Sequence, residues 1–222
     1  MSLVDREGIA ALSMRKLASA LGIEAMSVYH YVKNKDELLD AMVERVMEQV
    51  YLPASSEPWM DEQRKRARSV FESILEHPWV ASLFESRQSG PHQFAANEAV
   101  LANLRHHGFS VALAHRSLLT IDSYVYGFAL QEAAWPHERS QLPDILRQML
   151  PRVSEASYPR IVEFMQHMMA FSRELERAEK GSQEISRSAS GRSSAYREEF
   201  EFGLQLILDG LERVRSEQAL QR

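Results

Sequence analysis

LSMRKLASALGIEAMSVYHYVKNK, residues 12–35, reads as two short helices joined by a tight turn and followed by a third, capped helix. Ser13 supplies an N-cap hydroxyl for the first turn. Met14, Leu17, Ala18 and Leu21 recur at i, i+3, i+4 and i+7, one face of a helix. Gly22 ends it, because glycine takes the left-handed C-terminal conformation without a Cβ penalty. Ile23, apolar inside the turn, is expected to tuck between the helices. A second helix is expected over roughly Met26 to Val32, with Val28 and Val32 turned inward. That leaves Ala25 and Tyr29 on one outward row, and Met26, His30 and Lys33 on the next. Asn34, Glu37 and the apolar pair Leu38–Leu39 give a capping-box signature for the next helix.

Such a pair suits the major groove of duplex DNA, which admits one helix and lets its N-terminal residues reach base edges. Ser27, Tyr29, Tyr31, Lys33 and Lys35 offer hydroxyls and amines to phosphate oxygens. Arg15 can reach a guanine O6/N7 edge in the same groove. Arg15, Lys16, Lys33 and Lys35 face only Glu24 in this stretch, although the whole chain carries a formal charge of −5. On spacing alone, a helical protein that never touches DNA remains an equal reading.

The stretch from Leu12 to Met42 resembles the DNA-binding domain of the tetracycline-repressor (TetR) family. The resemblance lies in Ser13–Met14–Arg15, Leu17–Ala18, Leu21–Gly22–Ile23, and Val28 to Val32 followed by Asn34–Lys35. Near the other end, Phe200 to Leu204 and Leu208 to Glu212 resemble the last helix of the branch nearest the tetracycline repressor itself. The resemblance implies base contact for Arg15, backbone and base-edge packing for Tyr29, and phosphate contact for Ser27 and Lys35. Ala25 and Met26 stand where the tetracycline repressor has a base-reading glutamine and proline. Neither offers a bidentate hydrogen bond, so a different operator is expected. The family also has a four-turn helix ahead of the motif. Here Val4 to Gly8 reads as the tail of such a helix, and a truncated first helix is expected to leave Leu17 and Leu21 poorly covered.

At 222 residues, with 45% hydrophobic and 26% charged residues, the chain has an ordinary globular composition. It contains no cysteine, which excludes disulfides and thiolate metal sites. No long uncharged apolar run or signal-peptide pattern is present, so a cytoplasmic protein without membrane contact is expected. The whole chain reads as all-α. A helix-turn-helix head is expected over 1–47 and a helical effector-binding and dimerisation body over 48–222. Leu39, Val43, Val46 and Val50 mark a helix from Asp36 to about Tyr51. Further helices are expected from Pro58 to Glu76, Trp79 to Glu85, His92 to His107, Ser110 to about Ala134, Pro159 to Lys180 and Ser194 to Ser216. Residues 181–195, with six serines and two glycines among fifteen, read as a flexible loop. In the last helix Phe200, Leu204, Ile207, Leu211 and Val214 share a face, while Gly203 and Gly210 lie a heptad apart beside Leu206. Each glycine costs about 1 kcal/mol in a helix interior, which suggests close approach of a partner helix. The resemblance implies a homodimer built by this helix and the one after Ser110.

Nothing in the chain calls for catalysis. HExxH, Glu-x-x-His, GxSxG and phosphate-cradling glycine loops are absent, and adjacent His106 and His107 diverge on a helix. No cofactor or metal site is expected. A small-molecule site in the body is implied by the resemblance, with Phe71, Phe84, Tyr126 and Met165 as apolar lining and His115, Asp122 and Gln131 as polar anchors. The tetracycline repressor holds a magnesium–drug chelate through a histidine matching the segment Trp79 to Ser86. That segment here has none, so an apolar or aromatic effector is expected rather than tetracycline. The expected function is an effector-responsive DNA-binding regulator, most simply a repressor. The competing class is a helical small-molecule-binding protein without DNA binding.

Overall fold

The computed structural model describes residues 1–84, 90–133, 141–181 and 194–220. These residues form ten α-helices and no strand, the all-α architecture expected. In chain order they are α1 (Ser2–Glu7), α2 (Met14–Leu21), α3 (Ala25–Val28), α4 (Lys35–Met47), α5 (Trp59–Glu76), α6 (Pro91–His106), α7 (Val111–Ala133), α8 (Leu142–Met149), α9 (Pro159–Gly181) and α10 (Ser194–Leu220). Met1–Ala133 and Leu204–Arg222 make one compact unit, and Ala134–Gly203 make another. Most of the expected flexible loop at 181–195 lies outside the described residues.

In the first unit, local chemistry sets the ends of the early helices. The Ser13 hydroxyl accepts from the Lys16 amide at 3.2 Å, capping α2. Gly22 closes α2 at φ 67°, ψ 28°, and its amide bonds back to Ala18 and Ser19. Gly22→Ala is expected to cost about 1 kcal/mol in urea unfolding, because a Cβ is disfavoured in that conformation even with open space around it. Asn34 caps α4 by accepting from Glu37 N at 2.8 Å. Glu37 returns the favour one residue earlier than a standard capping box, accepting from the Lys33 amide rather than from Asn34.

Three expectations need correction. Ile23 does not enter the core; it is 40% exposed, and Leu21 is 60% exposed. The buried residues of the α2–α3 pair are Ala18 and Val28. The second helix ends at Val28 instead of Val32. Beyond it the amides of Tyr29, His30 and Tyr31 bond three residues back, as a series of tight turns. Val28 to Val32 is an unbroken run of β-branched, aromatic and imidazole side chains, all weak helix formers. Finally, α4 stops at Met47 rather than near Tyr51. The Tyr51 amide is taken by the Ser69 hydroxyl at 2.9 Å, so it is not free to continue the helix.

Behind the head, α5 and α7 pack together, and α6 and the 3₁₀ turn Pro78–Ser82 pack on them. Val70, Phe71 and Ile74 of α5 and Ile121 and Val125 of α7 are fully or almost fully buried. Trp59 lies edge-on to Phe109 at 4.9 Å and donates its indole N–H to Glu212 of α10 at 2.9 Å. Arg215, on the next turn, bonds Glu212 and the His107 carbonyl. Its guanidinium, offset a little by burial, is the main reason Glu212 holds its proton less tightly than an ordinary carboxyl. In the second unit α8 packs on α9, and Val162 and Met165 are buried.

Along α10 the buried residues are Phe200, Leu204 and Leu208, one residue in every four. The wider expected face fails at its far end, where Val214 is 39% exposed. Four residues overshoot a full turn by about 40°, so the buried row Phe200, Leu204, Leu208 winds away from the face that 207, 211 and 214 share with Phe200.

Candidate functional site

The head displays most of the residues singled out from the sequence. Arg15, Ala25, Met26, Tyr29, His30, Tyr31, Lys33 and Lys35 are exposed, and Ser27 is half-buried. Met26 at 71% and Tyr31 at 84% exposure have no packing role within the chain. Val28, between them, is buried, so one anchor holds a row of outward side chains. Lys16 differs: it pairs with Glu7 of α1 and is a scaffold contact.

Two polar links tie the head to the body, and neither was visible in the sequence pattern. Asp5 of α1 accepts from Trp79 Nε1 at 2.6 Å and meets His77 Nδ1 at 2.8 Å. Glu44 of α4 accepts from the amides of His92 and Gln93 at 2.8 and 3.4 Å, supplying the N-terminal cap of α6 from another helix. Gly90 leaves room for that carboxylate, since a Cβ there would lie 2.2 Å from Glu44 Cδ. Within the body, the segment between α4 and α5 is anchored separately. Glu62, fully buried, accepts from the Tyr51 hydroxyl at 2.8 Å, the Ala54 amide at 2.6 Å and Lys65 Nζ at 2.6 Å. Burial pushes the Glu62 carboxyl upward, but these three donors outweigh it and hold it below the ordinary carboxylate range. Asn103 of α6 donates to the carbonyls of Ala54 and Glu57 and accepts from Gln63.

The body residues expected around a ligand fall into distinct groups. Phe84 stacks on Tyr126 at 5.3 Å, and Phe71 lies edge-on to Phe128 at 5.9 Å. Asp122, one turn before Tyr126 on α7, takes both terminal nitrogens of Arg66, at 2.7 and 3.1 Å. His115 and Gln131 are exposed and do not join this cluster, and Met165 belongs to the second unit. Arg66 went unnoticed because EQRKRAR reads as a solvated charged face, yet this guanidinium is buried. Burial acts to lower its proton affinity; Asp122 more than offsets this, so the guanidinium holds its proton more tightly than usual.

On α10 Leu206 and Phe202 are exposed, and a Cβ at Gly210 would meet nothing within 4 Å. Among the described residues of one chain, none approaches Gly210 closely. Among the described residues no cluster of histidine and carboxylate groups fits a metal ion, and no helix is long and apolar enough to cross a membrane.

Comparison with known proteins accords with this layout. Residues 1–42 match the profile of bacterial regulatory proteins of the tetR family, and residues 52–215 match the tetracyclin repressor-like C-terminal domain. An HTH-type transcriptional regulator of Saccharopolyspora erythraea is 36% identical over 166 residues, covering 72% of this chain and 68% of that protein. The HTH-type transcriptional repressor DrrR1 of Streptomyces coeruleorubidus is 32% identical over 216 residues, covering 96% of this chain and 74% of its own. The Streptomyces coelicolor TetR family protein ActR in complex with actinorhodin superposes with a TM-score of 0.70 at 26% identity, over 96% of this chain and 93% of that one.

Proposed function

This chain belongs to the tetracycline-repressor family of bacterial transcriptional regulators, and on that premise we propose that it is a dimeric repressor released from its operator by a small molecule. The observation that carries the DNA half is the exposed row around a single buried anchor: Met26, Tyr29 and Tyr31 stand in solvent while Val28 is held. We assign the head to 1–47 and the body to 48–222, with the 181–195 loop in the body. Arg15 reads a base edge, and Ala25 and Met26 offer only apolar contact, such as a thymine methyl. Ser27, Tyr29, His30, Tyr31, Lys33 and Lys35 position the head on the backbone.

The dimer forms through α7 and α10, with Gly203, Leu206 and Gly210 at the contact. The open space over Gly210 and the exposure of Leu206 support this reading. A twofold dimer places its heads on half-sites ~34–36 Å apart. The effector is apolar or aromatic and sits among Phe71, Phe84, Asp122 and Tyr126. Its action is a population shift: turning 99:1 DNA-competent into 1:99 needs ~5.5 kcal/mol of differential affinity. The two links from head to body are the physical route by which the body biases head spacing.

Selection of bound sequences from random duplex DNA tests the reading. A symmetric site should emerge, and Arg15→Ala should bind it about 10- to 100-fold more weakly with relaxed preference at one base pair. Lys35→Ala should weaken all sequences alike and lower the salt slope by about 1. Recovery of no enriched sequence would favour the class of ligand-binding proteins without DNA binding, which Ala25 and Met26 keep in view.

A further inference from the structure

The body cluster holds a cation whose hydrogen bonding is incomplete. Arg66 is 3% exposed, and both terminal nitrogens are spent on the two oxygens of Asp122. Its Nε–H is buried and has no acceptor. A guanidinium that grips a carboxylate end-on with its two terminal nitrogens leaves its Nε edge facing another way. Leaving a charged donor buried and unmatched is costly, so the position favours an incoming acceptor. Asp122 and Tyr126 are four residues apart on α7 and share a stripe, and both are half-buried rather than sealed. Phe84, buried, presents a ring nearly parallel to Tyr126, 24° between planes. The cluster thus joins a flat aromatic wall to a guanidinium nitrogen that has no acceptor.

We propose that this cluster holds the effector as a planar aromatic molecule bearing an uncharged carbonyl oxygen, which accepts from Arg66 Nε. The proposal rests on the reading that the effector binds here, and it narrows the chemistry. The Arg66–Asp122 pair is neutral as a whole. A carboxylate ligand would bring a second negative charge beside Asp122 with no second cation from the pair to match it. An ammonium ligand has no lone pair for Nε–H. An uncharged ketone or quinone-type oxygen gives Arg66 Nε its acceptor and adds no charge, while its ring extends the Phe84–Tyr126 stack.

Three probes of one shape test this on the full chain: 2-acetylnaphthalene, 2-ethylnaphthalene and 2-naphthoate, followed by equilibrium dialysis. The acetyl compound should bind at least about tenfold more tightly than either of the others, the scale of one hydrogen bond to a charged donor. In the double variant Arg66→Met/Asp122→Leu the acetyl and ethyl compounds should bind alike. Equal binding of those two by the unaltered chain, or a ketone preference that survives the double variant, overturns the carbonyl proposal and leaves the effector site standing. Binding of none of the three overturns the reading of this cluster as the effector site, and the proposal with it. A measurement independent of any variant is the arginine Nε–H resonance in the unaltered protein. The Arg66 signal should move on addition of the acetyl compound and stay still with the ethyl compound; the same movement with both counts against the proposal.

Discussion

Asp122→Leu alone is expected to destabilise the protein by about 3 kcal/mol, whereas Arg66→Met/Asp122→Leu together should cost less than about 1 kcal/mol. The single change strands a buried guanidinium that had spent two of its nitrogens on Asp122. Its remaining choices are to stay charged without a partner or to pull water into the packing between α5 and α7. The double change removes both charges and leaves two apolar side chains of similar bulk. The Asp122 carboxylate retains 18% of its surface, so the penalty belongs at the lower end for buried pairs. Urea unfolding of the two single variants and the double variant gives the coupling between the residues directly. A loss under 1 kcal/mol for Asp122→Leu would mean that solvent reaches the guanidinium freely.

Asn103→Leu should cost about 3 kcal/mol, despite the same branching and heavy-atom count and higher hydrophobicity. Asn103 is fully buried and serves three partners: the Ala54 carbonyl at 2.8 Å, the Glu57 carbonyl at 3.0 Å and Gln63 Nε2 at 3.2 Å. Gln63 already has a buried Oε1 that accepts from no donor, so its amide has little slack. Each group stripped of its bond adds about 1–3 kcal/mol if it stays dry, and partial rehydration brings the sum down. The damage should be local. Hydrogen exchange should quicken first at Tyr51 and Ala54, the amides held by Ser69 and Glu62, before it changes in α7. Uniform loss of protection across the first unit would show instead that the segment and the core open as one.

The fold was legible where structure is decided locally. Ser13, Gly22 and Asn34 cap as their chemistry requires, and Pro58, Pro91 and Pro159 stand at helix starts. Ser110 caps α7 by accepting from the Leu113 amide at 3.1 Å. Periodicity found the buried stripe of α4 because Leu39, Val43 and Val46 repeat at helical spacing, with Val50 buried just past its end. It misplaced Ile23, since one apolar residue in a turn has no period from which to infer a face. It overextended α3, where inward valines at 28 and 32 suggested a helix that the intervening rings do not favour.

The candidate site was legible in one half only. Head residues announce themselves because an exposed Tyr31 or Met26 departs from what packing needs. The body hides its polar centre: Arg66 finds Asp122 across 56 positions, and Glu62 is buried within a run of charges that looks like a wet face. Such pairings depend on which helices become neighbours, and no spacing along one helix reports that. The same holds for Asp5 with Trp79 and for Glu44 with the start of α6.

The Glu44 contact limits how far two helices can part. A carboxylate reaches only as far as the three bonds between its Cα and its Cδ allow, and both of its oxygens are occupied by successive amides of α6. Small displacements of α4 are absorbed by rotation about those bonds. A larger one frees both amides together, because they share a single acceptor group. The contact is therefore a stop of defined length rather than a graded tether: α4 moves with α6 up to that length and independently of it beyond.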